Sequence, residues 1–121
     1  MGVSEPWPTD LVLLDGGKNL RIHFESGEQF VLSAEFLRVE SPSAEVKGHG
    51  PGQEQLAYGK KFVAITGVEP VGTYAVRLLF SDGHSTGIYT WSYFDMLGRE
   101  GQSLWDSYLA KLTKQNRSRE F

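Results

Sequence analysis

The sequence contains no cysteine. That excludes a disulfide framework, a thiol nucleophile, and zinc or iron–sulfur sites built on thiolates. Long apolar runs are also missing. None approaches the roughly 20 residues that a membrane-spanning helix needs, so no membrane partner is expected. The opening stretch MGVSEPWPTD has no basic region followed by an apolar core, and so lacks the marks of a secretory leader. Pro6 stands where a myristoylation signal needs Ser or Thr. Charge of one sign is scarce as well: 12 basic residues face 15 acidic ones, for a net charge of −3. Such a balance gives no general attraction to phosphate backbones, so no nucleic acid is expected as a partner. The C-terminal basic residues Lys111, Lys114, Arg117 and Arg119 read as a solvated end. A cytoplasmic location is the default expectation.

What is there suits a single globular unit. The chain has 121 residues, and 40% of them are hydrophobic, enough for one core. Residues 1–10 hold two prolines and read as an arm. Leu11–Leu14 is a short apolar strand, turned by Asp15-Gly16-Gly17. Leu20–Phe24 alternates apolar and polar with period two, and Ser26-Gly27 turns it into Gln29–Leu32. Ser33 is placed to cap a short helix, Ala34–Val39, with Glu35 in its first turn. Gly, Ser and Pro then predict a long loop from Glu40 to Gln53. Strands resume at Phe62–Ile65, continuing to Gly72, and at Tyr74–Phe80. Asp82-Gly83 predicts a type I′ hairpin turn. Thr90 should cap a helix, Trp91–Leu97, ended by Gly98. A last helix, Gln102–Lys114, lines up Leu104, Trp105, Tyr108, Leu109 and Leu112 at helical spacing.

One internal echo organises these elements. RIHFESGE (Arg21–Glu28) aligns with RLLFSDGH (Arg77–His84), and each is followed by a second strand and a capped short helix. The expected fold is therefore α+β: antiparallel hairpins with short helices in two related halves, plus a C-terminal helix. In this alignment His84 takes the place of Glu28.

His84 is the first residue whose chemistry needs explaining. It is open to four readings: a metal ligand, a general base, an anion contact, or an exposed polar residue ending a turn. Asp82 could orient the imidazole, or it could satisfy its own turn backbone. A second candidate is the loop that gathers Arg38, Ser41, Ser43, Glu45, Lys47 and His49. Its hydroxyls, amides and cations suit an anion, although no P-loop spacing or nucleophile-elbow motif is present. The plain alternative is a solvated loop. The aromatic residues Tyr89, Trp91, Tyr93, Phe94, Trp105 and Tyr108 read as core, with a cation cage or partner surface as the alternative. Trp7 lies on the proline-flanked arm, either docked or partner-facing.

Three stretches taken together, FLRVESPSAEVKGHG (36–50), VGTYAV (71–76) and FSDGHSTGIYTW (80–91), resemble the gamma-butyrobetaine hydroxylase-like N-terminal domain family. Its small stand-alone bacterial members form a domain of unknown function. The likeness runs over residues 11–98, leaving 99–121 as a C-terminal helix and tail. In the hydroxylases, this domain precedes a catalytic jelly roll carrying iron and 2-oxoglutarate. Nothing in these residues resembles that second domain, so the resemblance does not imply oxygenase activity. The hydroxylase domain also holds a structural zinc through three cysteines and one histidine, after a Trp-Leu-Arg stretch matched here by Phe36-Leu37-Arg38. Those four ligand positions fall on Ser41, Ser43, Val46 and His84. The resemblance thus implies that His84 lies near Ser41 and Ser43, in a site without thiolates.

Related domains are also fused to P-loop ATPases of the iron–sulfur cluster carrier type, which implies an accessory role near cluster handling or protein assembly. The leading expectation is a non-catalytic binding or scaffold module with a protein partner, no metal and no cofactor. Its test surface is Arg38, Ser41, Ser43, Glu45, Lys47, His49, Asp82 and His84. The rival is a small enzyme or small-molecule binder using His84, His49 and Arg38. An exposed strand or the C-terminal helix is available for a homodimer.

Overall fold

The computed structural model describes residues 6–42 and 56–120. Two three-stranded antiparallel sheets are each followed by a helix, and a longer helix closes the chain. In the first sheet β1 (Pro8–Leu14), β2 (Asn19–Phe24) and β3 (Gln29–Ser33) lie in sequence order, followed by α1 (Ala34–Val39). In the second, β4 (Ile65–Val71), β5 (Ala75–Phe80) and β6 (Ile88–Thr90) lead into α2 (Trp91–Arg99). The final helix is α3 (Gly101–Lys114).

The echo seen in the sequence reaches down to single hydrogen bonds. In both sheets the first strand is bulged at its start, between Pro8 and Asp10 and between Ile65 and Gly67. A threonine sits at each bulge and donates across it, Thr9 to the His23 carbonyl and Thr66 to that of Leu79. The β2–β3 and β5–β6 turns also match. Phe24 exchanges backbone bonds with Gly27 and Glu28, and Phe80 does so with Gly83 and His84. Each turn is closed by a left-handed glycine, Gly27 (φ 93) or Gly83 (φ 91). This corrects the type I′ expectation: Asp82 keeps negative φ, and the loop is the three-residue kind closed by a bulge glycine.

Both predicted caps form. The Ser33 hydroxyl accepts from the Phe36 amide and that of Thr90 from the Tyr93 amide. The alternation in β2 buries Leu20, Ile22 and Phe24, and β5 buries Val76, Leu78 and Phe80. Both sheets, α1 and α2 share one core, with Tyr89 stacked on Phe94 at 5.4 Å. A smaller cluster of Val39, Tyr108 and Leu112 fixes α3 to the end of α1.

Four expectations are corrected. The first strand begins at Pro8, inside the predicted arm, because Thr9 and Asp10 extend the ladder through the bulge. Trp7 remains about half exposed, with its carbonyl accepting from the Glu25 amide. Phe62–Ala64 are not in the strand, which starts at Ile65. The Val63 amide instead closes a turn onto the Lys60 carbonyl. Gly98 does not end α2, which runs to Arg99. It permits a close approach: a Cβ there would lie 2.4 Å from the Phe30 ring. Finally, the C-terminal basic residues are a solvated end only in part: Lys111, Lys114 and Arg117 are exposed, but Arg119 is half-buried and bonded to Glu35. After Asn116 (φ 54) the chain folds back, and Ser118 and Arg119 accept from the amides of Gly59 and Lys61.

Candidate functional site

The site forms where α1 ends against the second half of the molecule. A helix leaves its last carbonyls without partners. Here two tyrosines supply them. The Tyr89 hydroxyl donates to the Leu37 carbonyl and the Tyr93 hydroxyl to that of Glu40. Burial pushes the Tyr89 phenol upward, and it pushes Tyr93 up to about 12, with the Glu40 carboxylate adding to the effect. Both hydroxyls therefore stay protonated donors at neutral pH.

Arg38 leaves the last turn of α1 toward the β5–β6 turn. Its Nε donates to Asp82 Oδ2 at 2.8 Å, and Lys60 Nζ donates to the same oxygen at 2.7 Å. Asp82 Oδ1 accepts the backbone amide of His84 at 3.1 Å. Burial would raise this carboxyl. Lys60, the His84 amide and Arg38 outweigh it and hold the group down at about 2. Arg38 Nη1 is buried and has no acceptor among the described residues.

The imidazole of His84 turns inward. Its Nε2 lies 2.9 Å from the Ser41 hydroxyl, and the two residues are 8% and 0% exposed. The reading of His84 as an exposed turn residue is thereby overturned. The role given to Asp82 is corrected too: its contact is with the histidine's backbone amide, while Ser41 meets the ring. The Ser41 hydroxyl and the Tyr89 ring both face Gly87, which sets the imidazole, the serine and the phenol side by side.

Comparing the two halves explains how this polar pocket arises. Gly98 and Ser41 occupy matching positions after their helix caps, and Phe30 and Gly87 match in the following strand register. In one place a phenyl ring meets a glycine. In the other the glycine is on the strand side, and a Cβ on Gly87 would lie 2.4 Å from Ser41 Oγ. The space that Phe30 fills in the first half is taken in the second by a hydroxyl and its partners. The two halves thus differ here, with an apolar contact in one and a polar contact in the other.

Of the predicted site residues, Arg38, Ser41, Asp82 and His84 converge. Ser43, Glu45, Lys47 and His49, with Val46, lie outside the described residues. Lys60, Tyr89, Tyr93 and Gly87 belong to the site and were not assigned to it from the sequence. The tyrosines had been read as core, and Lys60 carried no signal, because its partner Asp82 is 22 residues away. Ser41 and His84, onto which the resemblance places two of the hydroxylase domain's zinc ligands, are adjacent. The donors described do not fit zinc: a neutral serine hydroxyl carries none of a thiolate's charge, and the imidazole's Nε2 is already bonded to it. Among the described residues, no group of three or more His, Cys, Asp or Glu side chains is placed to hold a metal ion. No described helix is long and apolar enough to cross a membrane.

Comparison with known proteins accounts for this architecture. No curated protein matches the chain. Two proteins with solution NMR structures are similar over most of its length. One is 43% identical with a TM-score of 0.82, covering 97% of this chain and 92% of that one. The other is 47% identical with a TM-score of 0.81, covering 94% and 85%. A crystal structure from Acidithiobacillus ferrooxidans, of a protein of unknown function in the DUF971 family, is 38% identical with a TM-score of 0.63, covering 75% and 91%. The family described as gamma-butyrobetaine hydroxylase-like, N-terminal, matches residues 11–95, which include both repeated turns and every converging site residue. This chain belongs to the gamma-butyrobetaine hydroxylase-like N-terminal domain family.

Proposed function

We propose that the chain is a non-catalytic binding module, working in the cytoplasm with a protein partner, in a role accessory to iron–sulfur cluster handling or protein assembly. One observation carries the non-catalytic part. The imidazole that a catalyst would need is 8% exposed and bonded to a serine that is fully buried. A general base must reach its substrate's proton, directly or through one water. A serine nucleophile must reach a carbonyl, yet the Gly87 backbone presses on this one. The rival reading, a small enzyme or small-molecule binder using His84, His49 and Arg38, needs the His84 ring accessible. The accessory role is supported only by likeness to domains fused to cluster-carrier ATPases.

Arg38 is the residue through which the cluster would meet a partner. Its side chain is 12% exposed, which leaves its guanidinium more open to a partner than the buried Ser41 and His84. Quantitative affinity capture with the wild type and with Arg38→Ala is the test, with amide NMR spectra confirming that both are folded. The expected result is loss of specific partners from Arg38→Ala. An unchanged partner set would remove this cluster from the binding role.

A further inference from the structure

A second surface lies beside the buried cluster. Phe62 is 68% exposed, the most exposed large hydrophobic residue among those described. The backbone around it is held from both sides. Gly17 (φ +90) lets the β1–β2 turn press on the start of β4, where a Cβ would stand 2.2 Å from the Ile65 carbonyl. That approach brings Lys18 across, and its Nζ donates to the Phe62 carbonyl at 2.8 Å. On the other side, the folded-back tail holds Gly59 and Lys61 by two backbone bonds. The ammonium groups of Lys18 and Lys61 lie 6.0 and 5.5 Å from the centre of the Phe62 ring. Exposed Tyr58 lies four residues before it, with the Arg117 guanidinium 4.5 Å from its ring.

We propose that this basic, aromatic surface docks an acidic segment of a partner protein, with an apolar side chain on Phe62 and carboxylates on Lys18, Lys61 and Arg117. Charge complementarity selects the occupant. Lys18 and Lys61 lie by the Phe62 ring and Arg117 by that of Tyr58, against Glu120, which pairs with Lys61, on a chain whose net charge is −3. Local positive charge on an acidic protein steers an acidic peptide to one place. Single-stranded nucleic acid also stacks on aromatic rings beside cations. A strand of bases needs several rings in succession along a basic groove, whereas here the cations sit at Phe62 and Tyr58 alone, and that favours the peptide. A backbone fixed on both sides presents the ring with little ordering left to do on binding.

The proposal rests on the reading of the chain as a binding module but uses a surface apart from His84 and Ser41. The probe is a fluorescein-labelled ten-residue peptide of aspartates and glutamates around a central Phe-Leu pair, titrated into the full chain at low salt. Saturable anisotropy is expected, with amide shifts confined to Lys18, residues 58–63 and the tail. Phe62→Ser and the double variant Lys18→Glu/Lys61→Glu should each weaken binding by about tenfold or more, as expected for an anchor residue and its steering charges. No saturation up to millimolar peptide, or shifts that are insensitive to Phe62→Ser, would overturn the proposal. So would tighter binding of an oligothymidylate of equal length. Failure of the peptide leaves the Arg38 experiment standing, because that one reads captured partners.

Discussion

Asp82 sets what pH does to this fold at the scale of one residue. Its carboxyl is held near 2, against 3.8 for the free group. The folded chain therefore binds that proton less readily than the unfolded chain. The resulting stability is fully present above pH 4 and is lost as pH falls from about 4 to 2. Taken at face value, the shift corresponds to about 2.4 kcal/mol. Solvent screening at this half-open group brings the expectation to about 1 kcal/mol. Urea unfolding of the wild type and Asp82→Asn across that range checks it: the difference between them should close as pH approaches 2. The next residue-scale test concerns the buried pair. Ser41→Ala removes one partner of an imidazole that is 8% exposed. A cost of about 1–3 kcal/mol in urea unfolding is expected, since a buried polar group then loses a bond that water cannot replace.

Glycine at the end of α2 is the informative case at the scale of elements. On propensity alone, Gly98→Ala in a helix should stabilise by up to about 1 kcal/mol. Here the new methyl would sit 2.4 Å from Phe30 Cγ, close to that side chain's root, so the ring cannot swing clear. Overpacking costs about 1–3 kcal/mol and decides the sign. Thermal unfolding should show Gly98→Ala less stable than wild type, with Phe30→Leu relieving part of the loss. The sequence could not have revealed this. A glycine after a run of helix formers looks like a stop, and only the crossing strand shows why it is needed. What was legible was local: the caps Ser33 and Thr90, the period-two strands and the repeated turn all lie within a few residues of the bonds they make. What was not legible spans the chain. Arg38 finds Asp82 across 44 residues and Glu35 finds Arg119 across 84. The resemblance brought His84 to Ser41, which spacing alone could not do. Glu35 looked like a helix-dipole residue, and its guanidinium partner looked like a solvated tail.

The halves are interlocked, so the molecule should unfold as one unit. Each β-turn packs against the other half's helix. Asp82 and His84 hold the end of α1, and Glu28 binds Arg99 at the end of α2. The tail adds a third tie, because Arg119 grips Glu35 through two bonds of 2.8 Å and lies over Trp105. Glu35 is 7% exposed, so removing its partner strands a charge inside the protein. For a fully buried pair that costs about 3–5 kcal/mol. Arg119 is itself 38% exposed, and water can follow it in, so about 2–3 kcal/mol is the expectation for Arg119→Met. Adding Glu35→Gln should recover part of the loss, since the amide removes the stranded charge. If the halves are coupled as these contacts require, Arg119→Met shifts the urea midpoint equally for far-ultraviolet circular dichroism and for fluorescence of Trp91 and Trp105. Probes that separate would mean that the first sheet and the second can come apart, leaving the site between them without a fixed geometry.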